Sequence, residues 1–111
     1  QLPDGGWATP AFLVDWEEYR RKDDKPHDPD TSDAYGTGLA IVFAREMGIP
    51  ANDERIRKGV KWLKSNQRKS GKWFTRSPAK DSKHYITNTG TAYAVLALQA
   101  CGEIPGWPFG G

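Results

Sequence analysis

One cysteine, one methionine and two histidines are all that this 111-residue chain carries of the softer and more readily titrated side chains. A lone Cys101 rules out an intramolecular disulfide. Packing and hydrogen bonds must therefore hold the fold, and the redox compartment stays open because secreted proteins can also lack disulfides. No apolar run approaches the roughly 18 residues that a membrane-spanning helix needs. Net charge is nearly absent in sum, at +2. The chain starts at Gln1 rather than Met and shows no leader-like stretch, so it is expected to be a piece of something longer.

What is present points to one globular domain, residues 1–111. Hydrophobic residues make up 37% and charged residues 27%, and five Trp are more large apolar rings than a disordered tail carries. Twelve Gly and eight Pro imply many turns. The small net charge hides an asymmetry. Residues 1–54 hold 5 Lys/Arg against 12 Asp/Glu, a charge of −7, and residues 55–111 hold 11 against 2, a charge of +9. Such a division bears on partners rather than on fold.

Four blocks follow along the chain. Gln1 to Tyr19 is rich in Gly and Trp, with a short helix expected over Ala11–Arg21. Residues 20–32 form a charged loop whose prolines and aspartates argue against regular structure. Asp33–Met47 is expected to be a helix, with Asp33 or Ser32 as its cap, closed by Gly48 in the left-handed position and by Pro50 beyond it. Asn52 is the expected N-cap of the next helix, with Asp53 and Glu54 in its first turn, where the helix dipole favours anions. There Ile56, Val60 and Leu63 recur at helical spacing, while Arg57, Lys61, Lys64 and Arg68 form an opposite basic stripe, so this helix is expected on the outside. Leu39–Ala44 and Ala92–Leu98, the second ending at Cys101-Gly102, are unbroken apolar runs. Strands are an alternative for either, but alanine content and length favour helices that need neighbours on most sides.

Self-similarity supplies the architecture. At an offset of 54, Gly36, Thr37, Ala40, Ile41 and Gly48 fall on Gly90, Thr91, Ala94, Val95 and Gly102. At an offset of 66, Gln1, Gly5 and Trp7 fall on Gln67, Gly71 and Trp73. The difference of 12 matches an insertion at 20–32 in a first repeat of residues 1–67, with residues 68–111 as the second. A period of this size signals an array of helical hairpins.

Lys58, Gly59, Trp62, Leu63, Gln67, Gly71 and Trp73 occupy every fixed position of a pattern that resembles the QW motif of squalene and oxidosqualene cyclases. Gln1, Gly5 and Trp7 match its second half again. The resemblance extends to squalene-cyclase-like repeat domains of large bacterial proteins, where helices such as 89–94 are typical. It implies an all-α fold, an incomplete α/α-toroid of two hairpin repeats, the architecture that squalene cyclases share with prenyltransferase β subunits. In that family the motif is structural. Gln67 at the end of an outer helix can bond backbone groups of a neighbouring helix, Gly71 permits the turn, and Trp73 can stack on the Gln and seal the seam between repeats.

The family's chemistry maps poorly onto the residues. Cyclases protonate an alkene with an Asp-x-Asp-Asp motif, and Asp30-Thr31-Ser32-Asp33 puts Ser32, a poor acid, at the donor position. The zinc of prenyltransferases is held by Asp, Cys and His. Here Cys101 lacks an Asp two residues before it, and His27 and His84 stand at no ligand spacing, so neither metal nor cofactor is expected. The Gly-Cys-Gly-Glu-Gln element of complement-type thioester domains is missing. Asp33, Tyr35, His84, Tyr85 and Asn88, at the mouths of inner helices, are the cavity-facing candidates that the toroid implies. Capping and loop bonding are the simpler role for them. Arg68, Lys69, Lys72, Arg76, Lys80 and Lys83 form a basic cluster without an interleaved stacking platform, which favours a solvated face or a protein interface over nucleic acid.

Two functions are expected to compete. One is a non-catalytic module for binding or assembly, whose partners are neighbouring repeats or further copies meeting acidic edge to basic edge. The other is a fragment of a terpene cyclase or prenyltransferase with its catalytic residues elsewhere.

Overall fold

A computed structural model describes residues 1–12, 21, 22, 25, 28–76 and 85–104. Among them, a short 3-10 turn at Thr9–Phe12 precedes three α-helices: α1 (Ala34–Glu46), α2 (Glu54–Asn66) and α3 (Tyr85–Ala100). The described residues include no strand, only an isolated antiparallel bridge between Trp7 and Asp33. The fold is all-α, a piece of an α/α-toroid, as the apolar runs and the repeat period imply.

Each helix forms where its residues dictate. Asp33 sits in extended backbone and accepts the Gly36 N–H, capping α1. Met47 ends that helix, and Gly48 follows with φ +90°. The cap of α2 is Asp53, not Asn52. Its carboxylate accepts the Arg55 N–H and also binds the Arg55 guanidinium, while its own N–H donates to Pro50 in the preceding turn. Of the expected helix over 11–21, residues 11 and 12 fall in the turn at Thr9–Phe12, Arg21 lies in no helix, and residues 13–20 lie outside the described residues. Helix α3 starts at Tyr85, three residues earlier than the 54-residue offset from Ala34 would place it.

The core is one cluster drawn from all three helices. Ala34 and Ile41 come from α1, Ile56, Val60 and Leu63 from α2, and Ala94, Ala97 and Leu98 from α3, with Trp73 among them. Full burial of side chains such as Ile41 and Leu63 stabilises by about 1.5–3 kcal/mol each. Helix α2 turns these apolar residues inward and leaves Arg57, Lys61 and Lys64 exposed, as an outer helix does.

Helices α1 and α3 form the principal pair and run in the same direction. Tyr35 meets Tyr93 edge-on at 5.2 Å between ring centroids, Gly38 lies against Tyr93 and Ala94, and Arg45 Nε donates to the Ala100 carbonyl at 3.0 Å. Gly38 permits the close approach, because a Cβ there would lie 2.6 Å from the Tyr93 carbonyl carbon. Gly38→Ala would ordinarily gain up to about 1 kcal/mol of helix propensity. Here it is expected to lose a net ~1–3 kcal/mol through overpacking against backbone. Urea denaturation measures this, and a stabilised variant would show that the two helices separate freely.

Candidate functional site

The mouth of α1 gathers most of the polar chemistry. Asp33 Oδ1 accepts from the Thr9 hydroxyl at 2.6 Å and from the Gly36 N–H at 2.7 Å, and Oδ2 accepts from the Thr9 N–H at 2.8 Å. Its backbone N–H donates to the Trp7 carbonyl. One carboxylate thus joins the 7–9 segment to the first turn of the inner helix. Burial pushes the Asp33 carboxyl above the usual carboxylate range, and its three donors pull the other way without cancelling that effect.

Beside it, the Ser32 hydroxyl donates to Asp4 Oδ1 at 2.6 Å. Asp4 also receives the Gly6 N–H and, on Oδ2, the Trp62 indole N–H at 3.0 Å. Burial opposes ionisation of Asp4, but these donors outweigh it and hold the carboxyl below the usual range. The Ser32 hydroxyl is therefore committed to a neighbouring carboxylate.

The candidates for a cavity-facing set separate. Asp33 is the cap just described. Tyr35 is half-buried, with its ring against Tyr93 and its N–H bonded to the Thr75 hydroxyl at 3.1 Å. Asn88 is exposed on the first turns of α3. Tyr85 begins α3, but its side chain lies outside the described residues, as do His84 and His27. In the basic cluster, Lys80 and Lys83 also lie outside them, and Arg68 places its guanidinium 5.0 Å from the Phe74 ring centroid.

The QW-type residues make bonds that recur at the sequence offsets. Gln1 Nε2 donates to the Gly5 carbonyl at 2.7 Å, and Gln67 Nε2 to the Gly71 carbonyl at 2.8 Å. Gly5 and Gly71 turn the chain with φ of +94° and +87°. Gln1 also reaches the Arg55 carbonyl on α2 at 2.8 Å, whereas Gln67, the C-cap residue of α2, bonds its own turn. The Trp7 N–H donates to the Thr37 hydroxyl and that hydroxyl to the Trp7 carbonyl. Trp73 and Thr91 repeat this pair of bonds. Trp73 sends its indole N–H to the Leu63 carbonyl at 2.7 Å. Lys58 is exposed and pairs with Glu54, and Trp62 is half-buried against Asp4.

Thr37 and Thr91 are the residues whose role sequence reasoning missed, although their coincidence at an offset of 54 was the available signal. Among the described residues, open depressions lie along α2. One of about 470 Å³ is flanked by Asp4, Lys61 and Asn66, and one of about 250 Å³ by Arg57, Lys64 and Cys101. Burial raises the Cys101 thiol above its usual range. Among the described residues, no three His, Cys, Asp or Glu stand close enough to hold a metal ion, and no helix is long and apolar enough to cross a membrane.

The family model for the squalene-hopene cyclase C-terminal domain matches residues 30–106. The chain belongs to that family. It is 36% identical over 76 residues to a squalene–hopene cyclase of Bradyrhizobium diazoefficiens, and 37% identical over 76 residues to a probable squalene–hopene cyclase of Sinorhizobium fredii. Each match covers 63% of this chain and 12% of the relative, so the chain spans a small part of the length of the curated relatives it matches. No solved structure matches it significantly. The squalene-hopene cyclase match covers all three helices and the Gln67–Trp73 staple, and leaves out residues 1–29, where the first half-motif and most of the charged loop lie.

Proposed function

We propose that this squalene-cyclase-like chain is a non-catalytic toroid repeat module that binds or assembles through its helical faces. The observation that carries this reading is the commitment of the carboxylates at the α1 mouth. Asp33 accepts three protein donors as cap and tie, and Asp4 is bridged by Ser32, Gly6 and Trp62. Ser32, at the family's donor position, cannot protonate an alkene. Bonded groups of this kind staple a repeat.

A second reading is a fragment of a terpene cyclase or prenyltransferase that walls part of the cavity, with its catalytic residues elsewhere; the names of the relatives favour the cyclase. Incubation of this chain with squalene or a prenyl diphosphate separates the two. No turnover above the buffer control is expected, and a cyclised or prenylated product would overturn the non-catalytic reading.

A further inference from the structure

We infer that Ser70 is a phosphate-acceptor site: a serine kinase that reads cationic side chains transfers a phosphoryl group to its hydroxyl, and the surrounding turn holds the resulting anion. The inference goes beyond the assembly reading and does not depend on it.

The turn that follows α2 repeats, bond for bond, the turn at residues 2–6. At the offset of 66, the Arg68 N–H donates to the Lys72 carbonyl as the Leu2 N–H donates to that of Gly6. Likewise the Gly71 N–H donates to the Arg68 carbonyl as the Gly5 N–H donates to that of Leu2. Ser70 then takes the place of Asp4. Asp4 Oδ1 accepts the Gly6 N–H at 3.1 Å, and Ser70 Oγ accepts the Lys72 N–H at 3.4 Å. The first turn thus uses an anion where the second carries a neutral hydroxyl. Asp4 stays exposed even with the Trp62 indole of α2 bonded to it, and Ser70 is exposed too. An outer helix beside this turn position therefore leaves the side chain open to solvent.

The charge around Ser70 is unbalanced in the sense that an anion corrects. Residues 55–80 hold ten Lys/Arg and no Asp/Glu. Arg68 and Lys69 precede Ser70, Lys72 follows it, and all three are exposed. Among the described residues none of the three has an ion-pair partner, and Arg68 rests over the Phe74 ring. Kinases select their substrates in part by charge patterns of this kind. The neighbouring hydroxyls are worse placed. Ser65 lies in the last turn of α2, Thr75 is buried, and Thr31 already donates to Asp28. In the transfer, Ser70 Oγ attacks the γ-phosphorus of a magnesium-bound nucleoside triphosphate. The bond from that phosphorus to the β–γ bridging oxygen breaks, the nucleoside diphosphate leaves, and the hydroxyl proton passes to a base of the kinase. The new phosphate takes over the Lys72 N–H and pairs with the Arg68, Lys69 and Lys72 side chains, which closes the Gln67–Trp73 turn as Asp4 closes the first.

The experiment treats the whole chain with magnesium ATP and a purified serine kinase that selects Arg or Lys before its acceptor. Mass spectrometry then maps the phosphate, and urea denaturation compares the phosphorylated chain with the unmodified one. Transfer is expected on Ser70 of the unaltered chain and to be lost in Ser70→Ala, whose helicity by circular dichroism should be unchanged. Arg68→Ala is expected to slow the transfer by about tenfold, as the loss of one charged contact does. The phosphorylated chain is expected to unfold at a higher urea concentration than the unmodified one. That gain should shrink as salt rises, because the new ion pairs are exposed. Transfer to Ser65 or Ser77 in place of Ser70, no transfer at all, or a phosphorylated chain that unfolds at no higher urea concentration would overturn the inference. None of these results bears on the non-catalytic reading, which stands or falls on turnover.

Discussion

Replacing Trp73 with alanine is expected to destabilise the chain by about 3–5 kcal/mol, the range for truncating a buried aromatic residue to alanine. Trp73 is 2% exposed within a cluster drawn from all three helices, and its indole N–H satisfies the Leu63 carbonyl near the end of α2. Truncation opens a cavity and removes that bond together. Since a domain of this size has about 5–15 kcal/mol in hand, Trp73→Ala would leave little margin. Trp73→Phe separates the contributions, because it keeps most of the ring and frees the Leu63 carbonyl, for a loss of about 1–3 kcal/mol. Trp7 is half-buried, so Trp7→Ala is expected to cost less than Trp73→Ala. Urea denaturation of the three variants tests the ranking, and a larger loss at Trp7 would contradict the assignment of Trp73 as the central staple.

The helices were legible because their signals are local. The unbroken runs 39–44 and 92–98, the spacing of Ile56, Val60 and Leu63, and the positive-φ glycines at 48 and 102 each act within a few residues. The cap of α2 was misplaced by one residue because Asn52 and Asp53 are both good caps. The choice between them turns on Arg55, whose guanidinium and N–H both engage Asp53. Gly38 was not legible at all. It looks like a propensity defect until the backbone of α3 is known to pass beside it.

The site was legible in outline through its repeat. Offsets of 54 and 66 bring Trp7 to Trp73 and Thr37 to Thr91, and the two pairs make the same two bonds. The sequence coincidence pairs them, whereas their contact spans 30 residues in one case and 18 in the other, a difference equal to that between the two offsets. Asp4 was missed for a related reason. Its partners Ser32 and Trp62 lie 28 and 58 residues away, and no periodicity links them.

Asp33 allows the second large effect to be tested with a control taken from the chain itself. Asp33→Ala removes the α1 cap, worth about 0.5–2 kcal/mol. It also strands the Thr9 N–H and hydroxyl, for a total loss of roughly 2–4 kcal/mol. At the equivalent place in the second repeat stands Thr87, whose hydroxyl accepts the Thr75 N–H at 3.2 Å and donates to the Thr75 carbonyl at 3.1 Å. Asp33→Thr is therefore expected to recover part of the loss, because one hydroxyl can serve Thr9 as Thr87 serves Thr75. The pH dependence has a definite sign. Burial raises the folded pKa of Asp33 above its ordinary value of 3.8, so between those two values the folded state holds more protons than the unfolded one. This contribution to stability is fully present below 3.8 and is lost as pH rises through the folded pKa. Asp33→Thr lacks the titrating group, so the stability difference between the unaltered chain and this variant should shrink as pH rises through that window. A difference that grows instead would mean that the three donors at Asp33 outweigh its burial.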